Sequence, residues 1–148
     1  ADIFPQRLLG SNSCLTIGDN IISFGGADSF DRNSMRANPL DVVAAFNPGT
    51  AQWQTTKLNI APREGLTSVS KGRYVYLVGG ASLGELHRYP YIDQLDLSAG
   101  TAERYAEMTL GRTGAACGII GDYLLIAGGV VGAVNEMTDR IERIHIEG

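Results

Sequence analysis

Apolar residues along the chain fall in short runs that end at glycine-rich turns. Three of these runs end in the same way: IISFGG at 21–26, YLVGG at 76–80 and LLIAGG at 124–129. Short runs rich in Val, Ile, Tyr and Phe and bounded by glycine are typical of β-strands. No long stretch keeps the 3.6-residue periodicity of an amphipathic helix. The pattern therefore predicts an all-β protein.

The paired glycines mark a repeat. Gly25, Gly79 and Gly128 begin the three pairs, and they are 54 and 49 residues apart. Sixteen residues before the second and third pairs stands an arginine, followed two residues later by a glycine, whereas the first unit has Leu9 and Ser11 at these positions. A period near 50 is known for one kind of β-propeller blade. Because glycine weakens a strand, a repeated pair predicts a place where backbones crowd.

Each repeat unit predicts the same order of strands, with a tight turn after the first strand and a longer loop after the second. The turns GDN, KGR and GDY contain the residues that two-residue hairpins favour. A fourth strand holds Trp53 in the first unit and Tyr105 in the second, while the third unit has three strands before the sequence ends. The other predicted strands are 13–17, 21–24, 42–46, 66–70, 74–78, 92–97, 115–119, 123–127 and 140–146.

Two further segments give the repeat a family resemblance. VAAFNPGTAQW at 43–53 reads as a strand, a turn and a tryptophan, and IDQLDLSAGTAERY at 92–105 is a weaker copy with tyrosine in the tryptophan position. With the double glycine and the upstream Arg-x-Gly, these segments resemble the Kelch repeat over nearly the whole chain. The resemblance implies a Kelch-type β-propeller.

The resemblance also implies how the chain is divided. It predicts one Kelch-repeat domain over 1–148, with blade one at 11–58, blade two at 63–109 and blade three at 112–148. Kelch rings usually mix strands from both termini in one blade, so residues 1–8 are expected to supply the fourth strand of blade three.

Three four-stranded blades do not close a ring, because propellers have four to eight. An open arc would expose apolar blade faces, which soluble monomers avoid. The first hypothesis is a homodimer that forms a six-bladed ring, in which each N-terminal strand completes blade three of the other copy. The alternative is a piece of a longer propeller. Cys14 and Cys117 are expected on innermost strands as buried thiols, and as neighbours where two copies meet.

Composition excludes several function classes. The chain has 12 basic and 16 acidic residues and a net charge of −4, which argues against a nucleic acid or an anionic membrane as partner. No apolar run has the length of a membrane span. The two cysteines have no metal-site spacing, and GGASLG at 79–84 matches no phosphate-binding motif. We therefore predict no cofactor and no metal.

Long, varied loops at 27–41, 81–91 and 130–139 predict that binding occurs on the face that they share. Two arginines begin inner strands and are expected around the central mouth, where the resemblance implies contact with acidic ligands. The alternative is that these two brace neighbouring blades through backbone carbonyls or Glu64. The candidate binding residues are Arg32, Arg36, Arg63, Arg88, Tyr89, Arg112 and Asn135.

The function predicted from these features is non-catalytic protein or peptide binding, or assembly, through the loop-rich face. No combination of nucleophile, base and orienting residue indicates a hydrolase. Some Kelch relatives modify sugars such as sialic acid with a few polar groups in the central mouth, and Arg63, Glu64 and Arg112 suit that alternative. A third reading is a fragment of a larger Kelch adaptor.

Overall fold

The structure, a computed structural model, describes residues 10–34, 36–82, 88–132 and 136–147. Every regular element in these ranges is a β-strand. The strands are β1 (Ser13–Ile17), β2 (Asn20–Phe24), β3 (Ala27–Asp31), β4 (Arg36–Pro39), β5 (Val42–Asn47), β6 (Gln52–Lys57), β7 (Thr67–Lys71), β8 (Tyr74–Val78), β9 (Tyr91–Asp96), β10 (Thr101–Glu107), β11 (Arg112–Thr113), β12 (Ala116–Ile120), β13 (Tyr123–Ala127), β14 (Val130–Val131), β15 (Glu136–Met137) and β16 (Ile141–His145).

Three antiparallel sheets contain most of these strands. Unit one is the sheet β1-β2-β5-β6, unit two is β7-β8-β9-β10, and unit three is β12-β13-β16. The all-β prediction is confirmed, and the predicted strands agree with the observed ones to within one residue at most of their ends. The predicted fourth strand of unit three, at 1–8, lies outside the described residues. Over the described ranges the sheets do not close on one another.

Two predicted loops contain strands of their own. The first is the hairpin β3–β4, and the other belongs to the small sheet β11-β14-β15. The hairpin turn forms because the Asp31 carboxylate accepts hydrogen bonds from the backbone of Asn33 (2.9 Å) and the hydroxyl of Ser34 (2.7 Å). Such local side-chain bonds replace the ladder bonds that a turn lacks. Sequence periodicity did not reveal these strands because they are short and mostly exposed.

The core consists of two apolar layers, one on each side of unit two. Strand β8 supplies both, because alternate side chains point to opposite faces of a sheet. Val75 and Leu77 pack with Phe24 of unit one, while Tyr76 and Val78 pack against unit three. These four residues of β8 are at most 2% exposed. Burial on both faces explains why the strand reads as a continuous apolar run.

The glycine pairs lie where the backbone of the next unit comes closest. A Cβ atom on Gly25 would be 2.6 Å from the carbonyl oxygen of Arg63, and one on Gly79 would be 2.3 Å from that of Arg112. Both glycines also have φ near +60°, a conformation that other residues rarely adopt. Crowding and backbone conformation therefore both require glycine at these positions.

The first strands of neighbouring units contact each other. The Ser13 and Ser68 hydroxyls are 2.6 Å apart, and the Thr67 hydroxyl donates to the carbonyl of Ala115 at 2.6 Å. Cys117 packs in the layer between units two and three, where burial raises the pKa of its thiol to about 11. Cys14 is exposed on the side of unit one that points away from unit two.

These positions correct two expectations about the cysteines. The exposed thiol is not a buried structural one, and Cys117 faces unit two rather than a second copy. The physical reason is strand alternation, because Cys14 and Ser13 are adjacent in β1 and only Ser13 points towards unit two. The described ranges contain no helix that is long and apolar enough to cross a membrane.

Candidate functional site

The loop-rich end is the end of the sheets at which β2, β8 and β13 run into the glycine pairs. It comprises the hairpin β3–β4, the described residues between β8 and β9, and the small sheet β11-β14-β15. Its scaffold is built by backbone pairing, since Glu64 and Ala81 exchange two hydrogen bonds of 2.9 Å. The equivalent contacts are the bridge between Gly10 and Ala27 in unit one and the pairing of β11 with β14 in unit three.

The hairpin β3–β4 projects exposed side chains from this scaffold. Phe30 is 48% exposed, and Arg32 and Arg36 are exposed beside it. Asp31 closes the turn, and the hydrogen bond from Ser34 is the main reason that its pKa lies below the ordinary value. An apolar ring and two cations are thus held on a structured turn. The two predicted binding arginines of unit one are therefore accessible to a partner.

A cavity of about 140 Å³ lies at the base of this hairpin. Ser11, Ser29, Phe30 and the half-buried Glu64 are among the residues that line it. In the described part of the chain no hydrogen-bond or ion-pair partner is found for the Glu64 carboxylate. The cavity is therefore lined by an acidic residue, two serines and an aromatic residue.

Arg63 is fully buried and makes bonds within its own sheet. Its Nη1 donates to the carbonyl of Gly79 at 3.2 Å, its Nε donates to that of Ala61 at 3.3 Å, and its Nη2 pairs with the carboxylate of Asp93. Burial lowers the pKa of this guanidinium, and the charge of Asp93 opposes the shift. Its backbone carbonyl accepts the N–H of Gly26 from unit one at 2.9 Å.

Arg112 repeats this arrangement in unit three. Its Nη1 donates to the carbonyls of Gly128 (2.9 Å) and Arg140 (3.1 Å), and its Nη2 pairs with the carboxylate of Glu142. Its own carbonyl accepts the N–H of Gly80 from unit two at 2.9 Å. Each arginine thus bonds to two units: its side chain binds groups of its own unit, and its backbone carbonyl binds an N–H of the preceding unit.

The expected position of these two arginines is therefore corrected. They do not line an exposed mouth in this structure, because they are 0% and 1% exposed. Their side chains bind carbonyls and an acid of their own unit, Asp93 or Glu142, and not Glu64. Only their backbone carbonyls bond to the neighbouring unit, so the bracing alternative holds for the backbone and not for the guanidinium groups. The reason is that buried guanidinium groups need several acceptors, which strand-end carbonyls and a cross-strand acid supply.

Arg88 and Tyr89 lie between units, half-buried. The Nη1 of Arg88 donates to the carbonyl of Gly132 at 2.7 Å, which joins the loops of units two and three. The Tyr89 ring lies 5.4 Å from the Arg63 guanidinium and 5.7 Å from the ring of Tyr91. The guanidinium of the exposed Arg104 stacks on the Tyr91 ring, 3.5 Å from the ring centroid. Of the residues in this cluster, Arg104 is the exposed one, because Arg63 is buried and both rings are half-buried.

Asn135, predicted to bind, lies outside the described residues, as does His87. Sequence reasoning missed Phe30, Ser29 and Arg104 as members of the site. The alternation in ADSFD at 27–31 indicated a strand with Phe30 on one face, but not which face is exposed.

Two larger depressions lie away from the loop-rich end. One of about 270 Å³ lies between units one and two, lined by Val43, Leu58 and Leu97 among others. Another of about 430 Å³ surrounds Trp53 and Asn47 at the opposite, turn-bearing end of unit one. Over the described ranges no group of three His, Cys, Asp or Glu side chains is placed to hold a metal ion.

Comparison with known proteins adds information about the fold. No protein-family model and no curated protein matches the sequence. Among solved structures, that of YjhT is similar to this chain, with a TM-score of 0.76 and 16% sequence identity. The similarity covers 92% of this chain and 49% of that chain, so the chain spans about half the length of the protein that it resembles. At this identity the likeness concerns the fold alone.

Proposed function

We propose that the chain is half of a six-bladed Kelch-type propeller and that it binds a protein or peptide, without catalysis, through its loop-rich end. Two observations support the propeller arrangement. The contact between units one and two is repeated between units two and three with equivalent hydrogen bonds. The structure of YjhT, which shares the fold, belongs to a chain about twice as long.

The exposed hairpin is the observation that carries the binding function. Phe30 supplies an apolar anchor, and Arg32 and Arg36 supply cations that recognise carboxylates. The turn is already closed by Asp31, so little conformational entropy is lost when a partner binds. The ligand class that fits is a peptide or protein loop with an acidic residue next to an apolar one. Arg88, Tyr89 and Asn135 remain candidate contacts on the same end.

A peptide selection with matched variants tests this function. Peptides are selected from a displayed library against the chain, and their dissociation constants are measured by fluorescence anisotropy. The variant Arg32→Ala/Arg36→Ala should weaken binding at least about ten-fold, because each lost contact to a charged group is worth roughly 1.5–3 kcal/mol. Thr50→Glu/Gln52→Glu changes the net charge equally at the opposite end and should change binding less than about two-fold. Selected peptides that bind both variants as well as the original chain would show that the hairpin is not the site.

A sugar-modifying enzyme is the alternative, and the cavity at Glu64 is what favours it. Glu64 lines an open cavity, and its carboxylate has no bonding partner in the described chain, so it is available to take a proton from a bound sugar. Incubation with sialic acid, followed by NMR of the anomeric signals, tests this reading. If the chain speeds the interconversion of the two sialic acid anomers and Glu64→Gln does not, the enzyme reading would be favoured over the binding function. A third candidate is that the chain is part of a larger Kelch adaptor.

A further inference from the structure

The two contacts between neighbouring units follow one set of backbone hydrogen bonds. The second glycine of each of the first two pairs donates to an arginine carbonyl of the next unit: Gly26 to Arg63 and Gly80 to Arg112, both at 2.9 Å. Ahead of the first strands, the N–H of Gly65 donates to the carbonyl of Ser11 (2.8 Å). The N–H of Gly114 donates in turn to the carbonyl of Gly65 (2.9 Å). These bonds fix the position of each unit relative to the next one.

Units one and three each keep an unused half of this set. The N–H of Gly129, the carbonyl of Gly114 and the N–H of Ser11 have no hydrogen-bond partner among the described residues. Gly128 has φ +65° like Gly79, but the carbonyl that crowds Gly79 is absent, and a Cβ would lie no closer than 3.6 Å to another atom. In unit three, the Gly129 N–H and the Gly114 carbonyl are therefore available to bond with a following unit.

Unit one has the complementary backbone at Ser11. Ser11 has φ +59°, close to the +65° of Gly65 and the +62° of Gly114 at the equivalent positions. A non-glycine residue adopts this conformation only when the surrounding structure requires it. The backbone at Ser11, just before the first strand of unit one, thus has the conformation that Gly65 and Gly114 have where they bond to a preceding unit.

Side-chain exposure follows the same division. Ile141 is 68% exposed, whereas the equivalent residues Val43 and Ile92 are 5% and 0% exposed. Ile21 is 42% exposed, and its equivalents Val75 and Leu124 are 1% and 0%. Ile141 and Ile21 are therefore open at the two outer faces, whereas Ser23, the equivalent of Leu77 and Ile126, is only 3% exposed on the outer face of unit one.

These outer faces are named by their exposed residues. The open face of unit three comprises Ala116, Ile120, Tyr123 and Ile141 together with the exposed Arg143 and His145, and the open face of unit one comprises Cys14, Thr16 and Ile21. Each set alternates with residues that pack against unit two, so each points away from it.

We infer that the open face of unit three docks on the open face of unit one of a second copy. The new contact repeats the one between units one and two. A second copy is the partner that fits because the chain carries both complementary halves: the Gly114 carbonyl accepts the N–H of Ser11, and the exposed Ile120 and Ile141 of one face meet the face that holds Ile21. Two such contacts, related by a twofold axis, pair two chains. The inference rests on the proposed propeller arrangement but not on what the loop-rich end binds.

One native cysteine makes the inference testable by cross-linking. Within the chain, the Ser13 and Ser68 hydroxyls meet at 2.6 Å between units one and two. The equivalent pair across the new contact is Ala116 of one copy and Cys14 of the other, a distance that a disulfide spans. In a Cys117→Ser background, Ala116→Cys should form a disulfide-linked dimer under mild oxidation. The control Glu103→Cys, exposed on the outermost strand of unit two, should give at least about ten-fold less.

A second variant tests the apolar part of the contact. Ile141→Glu should raise the dissociation constant of the dimer, measured by light scattering at several concentrations, at least about ten-fold, because an apolar side chain of this size contributes that much when buried. Thr101→Glu has the same charge change on an exposed position of unit two and should leave the dimer unchanged.

The mass in solution and the cross-linking yield together decide whether the dimer forms. A species of twice the 15.8 kDa chain mass, together with the specific cross-link, supports the inference. A single-chain mass with equal cross-linking in the two cysteine variants overturns it, and a ladder of larger species overturns the twofold closure. Peptide binding by the hairpin is measured separately, so loss of the dimer does not decide the proposed function.

Discussion

At the scale of single residues, the repeat contains buried cations that have their own acids. Arg63 with Asp93 and Arg112 with Glu142 occupy equivalent positions in units two and three. At the equivalent strand position unit one has Ala44, which is 0% exposed, and sixteen residues before its glycine pair the sequence has Leu9. Arginine and acid are thus present or absent together, as expected when a buried charge without its partner is costly.

Replacing the pair should cost less than breaking it. Arg63→Leu alone leaves Asp93 buried without its cation and should reduce the free energy of unfolding by about 3–5 kcal/mol. Adding Asp93→Ala, which recreates the combination of unit one, should restore roughly 1–3 kcal/mol of that loss. Urea unfolding of the single and double variants measures this, with Arg32→Ala expected to change stability by less than about 0.5 kcal/mol. Additive losses would show that the two residues are not coupled.

Glu142 should give the fold a dependence on acid pH. Burial by itself raises the pKa of this carboxyl, but the N–H groups of Thr109 (2.7 Å) and Leu110 (3.2 Å) and the Arg112 guanidinium together bring it below its ordinary value. A group whose pKa is depressed by folding stabilises the protein above its unfolded pKa, and this stabilisation is lost as pH falls through the folded value.

The urea midpoint should therefore fall as the pH decreases below about 4.5, the ordinary pKa of this carboxyl. Glu142→Gln should be less stable than the original chain at pH 7 and should lose part of this slope. Glu103→Gln, at an exposed position, is the matched control and should keep it. A slope that is the same in all three proteins would contradict the role given to Glu142.

At the scale of elements, the glycine pair is the joint between a strand of one unit and the start of the next. The pairs of units one and two are buried, whereas that of unit three is half-buried. The same residues and the same φ values thus occur with and without a neighbouring backbone. This difference separates the cost of backbone conformation from the cost of crowding.

Alanine substitutions should show the two costs separately. Gly128→Ala, measured at a concentration where single chains predominate, should cost about 1–2 kcal/mol because of its positive φ. Gly79→Ala has the same φ and also brings a Cβ to 2.3 Å from the Arg112 carbonyl, so it should cost at least about 2 kcal/mol more. Equal losses in thermal or urea unfolding would mean that crowding contributes nothing.

At the scale of the whole molecule, the three sheets form a stack whose middle member is buried on both faces and whose outer members are not. The exposed isoleucines Ile21, Ile120 and Ile141 all belong to the outer units. Apolar residues in such number on two opposite faces favour association. The inferred dimer therefore depends on the arrangement of units, while the proposed ligand binding depends on the hairpin at one end.

The sequence by itself determined the all-β class, the repeat marked by the glycine pairs and most strand positions, because alternation and turn residues are local signals. It also placed Arg32 and Arg36 on an exposed loop. The tertiary structure alone decided that Arg63 and Arg112 are buried, that Cys14 is exposed, and that Phe30 projects from a hairpin. The reason is that burial and the facing of a side chain depend on which sheet packs against which, a relation between residues some 50 positions apart that no local pattern contains.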